Sequence, residues 1–199
     1  MSDLATLRRL SGLSTEPPSL KDTALVMIDL QETYRRGVMR LEGVEPALRE
    51  AAALLARARG AGIPIIHIQH DAGLGSPYDV TAPIGQISAE VAPQGREAVI
   101  TKAYPNAFVG TDLQAQLEAA GVKDGVLAGF MTHMCINSTA RGAFSLGFRP
   151  TVVASTTATR DLPAPDGSVV RAAQLQAASL AALTDLFAVV AGKQTDLPD

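Results

Sequence analysis

Apolar residues along this chain fall into short unbroken blocks separated by longer amphipathic stretches. Ala24-Leu-Val-Met-Ile28 is apolar throughout and ends at Asp29, a pattern that suits a strand covered on both faces. Similar blocks at Ile63–Ile68, Ala98–Thr101, Gly125–Gly129, Thr151–Ala154 and Leu186–Val190 predict five further strands. Between them lie stretches with helical character. Residues 46–59 are rich in Ala, Leu and Arg and stop at Gly60-Ala-Gly62. Thr111 or Asp112 caps a helix closed by Gly121. After Cys135 the apolar groups Ile136, Thr139, Ala140, Ala143 and Phe144 recur in steps of three and four, a helix ending near Gly147. A last helix is predicted over 168–183. Strands alternating with helices imply right-handed crossovers, and so a three-layer α/β/α domain with a mostly parallel six-stranded sheet.

A chain of 199 residues suits a single domain. Residues 1–22 are polar, carry Pro17-Pro18, and read as an arm. The domain is expected over 23–192, with a short tail at 193–199. The 17 basic residues are scattered and the net charge is −3, so nucleic acid is not an expected partner. No apolar run reaches the roughly 20 residues of a membrane helix. One cysteine permits no internal disulfide and no secretory leader opens the chain, which points to the cytoplasm.

Ligands of open α/β sheets bind beyond the carboxyl ends of the strands, and three reactive residues fall there: Asp29, Lys102 and Cys135. Singly, Asp29 reads as a turn residue, Lys102 as a solvated charge, and Cys135 as a small buried hydrophobe. Together they make coherent chemistry. A thiol at a helix start is drawn toward thiolate by the helix dipole, a nearby cation helps, and a carboxylate can take and return the proton.

Asp29-Leu-Gln31 with Tyr34, Lys102 followed by Ala107-Phe-Val-Gly-Thr-Asp-Leu113, and Gly129-Phe-Met-Thr-His-Met-Cys135 together resemble the isochorismatase-like cysteine hydrolases. That group includes nicotinamidases and N-carbamoylsarcosine amidases. The resemblance spans about residues 22 to 190. It implies an Asp29-Lys102-Cys135 triad and a cis peptide between Phe130 and Met131 that aims backbone N–H groups of Met131 and Cys135 at the substrate oxygen. It also implies aromatic pocket walls at Tyr34 and Phe108, a role for Thr132 in orienting the turn or the substrate, and assembly into homodimers or homotetramers. The implied reaction is hydrolysis of a small amide or ureido C–N bond through a thioester. Two alternatives remain: vinyl ether hydrolysis of the isochorismate type, against which the cysteine argues, and a non-catalytic binding module.

Metal-using relatives carry an Asp-x-His pattern with a further histidine, which His67-Ile-Gln-His70-Asp71 breaks. Three residues apart on a strand, His67 and His70 point to opposite faces. No metal and no cofactor are expected. His67 is expected to be buried with its ring satisfied, His70 to line the mouth of the site, and His133 to sit at the pocket rim. The loop at 71–95 is expected to cover the site. The small-molecule substrate carries no recognisable specificity code, and no basic cluster demands a strongly anionic one.

Overall fold

The computed structural model describes residues 4–199. Six strands form one parallel sheet: β1 (Thr23–Ile28), β2 (Ile65–His70), β3 (Ala98–Lys102), β4 (Asp124–Phe130), β5 (Arg149–Ala158) and, after a two-stranded β6–β7 hairpin (Leu162–Pro163, Val169–Val170), β8 (Val189–Ala191). Their order is β3-β2-β1-β4-β5-β8, with every neighbouring pair parallel. The three-layer architecture expected from the alternation is the one observed.

β1 occupies the middle of the sheet, and all six of its residues are buried. Successive side chains leave a strand on opposite faces. Leu25 and Met27 enter a core shared with the helix α2 (Val44–Ala61), while Ala24, Val26 and Ile28 enter a second core with α3 (Leu113–Ala119) and α4 (Asn137–Ser145). An unbroken apolar run is the sequence form of that two-sided burial. The helix α2 stops where Gly62 turns left-handed (φ 68°) and its N–H caps the Ala58 and Arg59 carbonyls, as expected from a glycine at that position.

The structure shifts some boundaries. β5 runs to Ala158 rather than Ala154, across an irregularity between Leu127 and Gly129 of β4. The last helix, α5, spans Ala172–Asp185, later than 168–183, because Val169 and Val170 pair with Leu162 and Pro163 instead. The described part of the N-terminal arm carries a short α-helix, α1 (Leu7–Leu10), held by Arg8 donating to the carbonyls of Ser14 and Leu186. The C-terminal residues are tied down as well. Arg57 donates to backbone oxygens of Gln194 and Leu197, and the Leu20 N–H donates to Pro198.

Where β1 meets β4, Ile28 pairs with Gly129. Gly129 has φ 131°, and a Cβ there stands 1.9 Å from the Ile28 carbonyl oxygen. Only glycine lets the two central strands stay in register just before both reach the site. Gly129→Ala is expected to cost about 3 kcal/mol or more, strain and overpacking each adding roughly 1–3, in urea unfolding. Gly167→Ala, also at positive φ but facing open space, is expected to cost about 1–2 kcal/mol. Equal costs at the two positions overturn the steric argument.

Candidate active site

Four neighbouring strands deliver the polar residues. Lys102 is the last residue of β3 and pairs in register with His70, the last of β2; Asp29 follows β1; Cys135 follows β4. Asp29 has φ 51°, a left-handed conformation that aspartate tolerates better than most non-glycine residues. Its N–H donates to the Ile68 carbonyl at 2.9 Å. β1 thus ends in a turn away from strand geometry, and the carboxylate reaches Lys102 two strands across. Lys102 Nζ lies 2.7 Å from Asp29 Oδ2, 3.3 Å from Cys135 Sγ and 3.2 Å from His70 Nδ1. Asp29 is also within hydrogen-bond reach of the sulfur. All three members of the expected triad are therefore together, and all three are buried, Asp29 completely and Cys135 to 5% exposure.

Burial lifts the Asp29 carboxyl above the ordinary carboxylate range, against the pull of Lys102. Burial first, and the Asp29 charge second, push the Cys135 thiol up to about 12, with Lys102 opposing. That direction runs against the thiolate expected at a helix start: Cys135 sits inside a π-helical turn, Thr132–Ile136, ahead of α4, where burial and a facing carboxylate outweigh the cation. Asp29 and Lys102 form an ion pair beside the sulfur.

Around this centre the peptide bond between Phe130 and Met131 is cis, where the resemblance places it. Thr132, next in the chain, is fully buried, and among the described residues its hydroxyl oxygen has no hydrogen-bond partner. Tyr34 is buried edge-on against Phe130 (5.7 Å between centroids) and Tyr78 (5.8 Å). Burial, then the charges of Asp29 and Cys135, raise its phenol well above the usual value, so it borders the triad. His70 rests its ring on Tyr78 at 4.9 Å. Burial, then Lys102, lower its pKa, and a neutral ring accepting from Lys102 at Nδ1 carries its proton on Nε2.

Phe108 stacks on Phe148 (5.8 Å, 21°), packed against the core beneath α3 and α4. The preceding Ala107 N–H is fixed by Thr139 Oγ1 at 3.0 Å, which turns the segment toward α4. His67 is buried with Nε2 2.9 Å from Glu97, and Glu97 also holds Arg59. The His67 and His70 rings therefore have separate partners. His133, at the rim, places Nδ1 2.6 Å from Thr159 Oγ1.

Two neighbours were given no role from the sequence, although Gln31 belongs to the Asp29-Leu-Gln31 motif. Tyr78 stands in the 71–95 loop as an aromatic among glycines and prolines, and only folding lays it over His70 and Tyr34. Gln31 is fully buried. Its amide nitrogen donates to the carbonyls of His70 (2.9 Å) and Gly85 (2.7 Å), while its oxygen accepts the His70 N–H (3.0 Å). One side chain thereby joins the ends of β1 and β2 to the loop. Further bonds from Ser88 N–H to Leu30 and from Glu32 N–H to Gln86 fasten that loop beside the site.

The chain is similar to known proteins over this same framework. Residues 23–195 match the isochorismatase domain. The crystal structure of an isochorismatase from Pseudomonas putida superposes with a TM-score of 0.94 at 38% identity, covering 98% of this chain and 99% of that one. A secreted isochorismatase effector of Verticillium dahliae is 34% identical over 185 residues, 92% of this chain and 95% of its own length. Maleamate amidohydrolase of Pseudomonas putida is 36% identical over 148 residues, 65% of this chain and 69% of its own length. With a domain match running from β1 to beyond β8, this chain belongs to the isochorismatase family of hydrolases.

Proposed function

We propose that the chain is a cysteine-dependent hydrolase of a small amide or ureido C–N bond, with Asp29, Lys102 and Cys135 as its catalytic residues. One observation carries this reading: a single buried lysine nitrogen lies 2.7 Å from a carboxylate and 3.3 Å from the only sulfhydryl. The similarity to an amidohydrolase supports the bond class.

The cycle needs no preformed thiolate. As Sγ attacks the substrate carbonyl carbon, the thiol proton passes to Asp29, which acts as general base. Lys102 faces the charge that moves between carboxylate and sulfur and holds both in place. Backbone N–H groups of Met131 and Cys135 take the developing oxyanion, a role in which loss of one donor typically costs about 2.7–4 kcal/mol. The C–N bond then breaks as Asp29 returns the proton to the departing nitrogen. A water, losing its proton to Asp29, attacks the thioester carbonyl; the C–S bond breaks, the acid leaves, and the proton goes back to sulfur. Tyr34, His70 and Thr132 line the substrate pocket, and the near-complete burial of the triad suits a small substrate. We place the enzyme in the cytoplasm, on the strength of its lone cysteine, as a homodimer or homotetramer; the similarity to a secreted effector makes secretion the competing location, which fractionation of the producing cell decides.

Three outcomes are expected. A panel of small amides should release ammonia with the native protein and none above background with Cys135→Ala at unchanged thermal stability, and intact mass should show an acyl adduct on the native chain. Pyruvate release from isochorismate without amide turnover overturns the reading. The second concerns pH. Protonated Asp29 cannot accept the thiol proton, so kcat/KM should fall as pH drops through a carboxyl pKa that burial has raised, and should show no alkaline fall attributable to Cys135 below about 12. A profile that instead rises with a thiol ionisation near neutrality contradicts the base role. Third, Lys102→Met should destabilise the protein by about 3–5 kcal/mol by stranding a buried carboxylate. Adding Asp29→Asn should recover most of that loss in urea unfolding while activity stays absent; additive costs would show the two side chains to be uncoupled.

A further inference from the structure

An ammonium carries three N–H donors, and one taken out of bulk solvent needs an acceptor for each. Lys102 is 2% exposed. Among the described residues three side chains accept from it: Asp29 Oδ2 at 2.7 Å, His70 Nδ1 at 3.2 Å and Cys135 Sγ at 3.3 Å. Asp29 and Cys135 belong to the proposed chemistry. His70 does not, yet the fold holds it beside the ammonium from several sides. Register sets the face: His70 pairs with Lys102 across β2 and β3, and partners in register leave a sheet on the same side. Gln31 bonds both backbone groups of His70. The Asp71 N–H donates to the Lys102 carbonyl at 3.0 Å, and Tyr78 meets the imidazole edge-on at 4.9 Å.

The acceptor at this position has to be uncharged. A carboxylate there would compete with Asp29 and Cys135 for the ammonium, and an imidazolium would repel it and has no lone pair to offer. Burial first, and the Lys102 charge second, lower the His70 pKa against the pull of Asp29 and Asp71, which favours the neutral ring the contact needs. His67, three residues earlier on the same strand, is engaged with Glu97 and takes no part. The requirement sharpens during turnover. Once the thiol proton has passed to Asp29, the carboxyl is neutral and its hold on Lys102 weakens, while the sulfur is bonded to the substrate. The imidazole lone pair is the one of these three contacts that no step of the proposed cycle alters.

We infer that His70 is a positioning residue, whose Nδ1 lone pair holds the Lys102 ammonium against Asp29 and Cys135 while charge moves between them. This rests on the hydrolase reading and adds a fourth side chain to it, one that acts on the chemistry through Lys102.

Two variants separate the lone pair from the ring. His70→Asn puts Oδ1 where Nδ1 stands, the same number of bonds from the backbone, and gives up the aromatic contact. His70→Phe keeps a ring against Tyr78 and gives up the acceptor. On whichever small amide the native protein turns over, kcat should fall about 10- to 100-fold in His70→Phe, the range of one unsatisfied buried donor. KM should stay nearly unchanged, and His70→Asn should recover most of the loss. Urea unfolding should rank the variants in the same order, Asn above Phe, because it reads the same stranded N–H without turnover. A packing role for the ring reverses that order, and a substrate-binding role raises KM in both variants. Either result overturns the inference, as do equal effects in the two variants. If the native protein hydrolyses no amide, the hydrolase reading falls by itself, and the unfolding order together with the tautomer of His70 by nitrogen NMR decides the Lys102 contact. A neutral ring protonated at Nε2, with Asn above Phe, upholds it. A ring protonated at Nδ1 at neutral pH, or any other order, overturns it.

Discussion

The buried Asp29–Lys102 pair is the constraint around which this molecule is arranged. Two opposite charges 2.7 Å apart with no solvent contact are expensive to desolvate, and a hydrophobic pair of similar volume would generally stabilise a fold as well or better. The pair makes sense only through the third group it faces. Lys102 reaches the sulfur while holding the carboxylate, so the site has a carboxylate, a cation and a thiol within one hydrogen-bonded cluster buried from bulk solvent.

Much of the surrounding structure keeps that cluster in place. Gly129 lets β1 and β4 run together up to the last residue before the site, Asp29 leaves β1 in a left-handed turn that a regular strand would not provide, and Gln31 ties β1, β2 and the 71–95 loop with three hydrogen bonds. His70 accepts from Lys102 and is itself backed by Tyr78. Each support acts on a different strand end, so the cluster is over-determined. A buried charge pair that could slide apart would lose its Coulomb energy while keeping its desolvation cost.

The same burial pushes the thiol up, to about 12. In the proposed cycle, attack and proton transfer are therefore coupled, and the reactive sulfur exists when a carbonyl is in front of it.

Much of this was legible in the chain. Continuous apolar runs marked β1 and β4 because two-sided burial leaves no polar position in a central strand, and the spacing of Asp29, Lys102 and the Gly129–Cys135 motif disclosed both the family and the three residues that converge. What a local pattern could not carry was any property set by distant neighbours. Tyr78 reads as an ordinary loop aromatic until folding lays it over His70 and Tyr34, and Cys135 at a helix start suggests thiolate only while the facing carboxylate and its burial are out of view. Periodicity and residue type are encoded one position at a time, so the sequence alone determined the layers, the sheet and the catalytic candidates. Solvation and Coulomb energy depend on every group nearby, whatever its position in the chain, so the electrostatic surroundings of the sulfur were decided only by the tertiary structure.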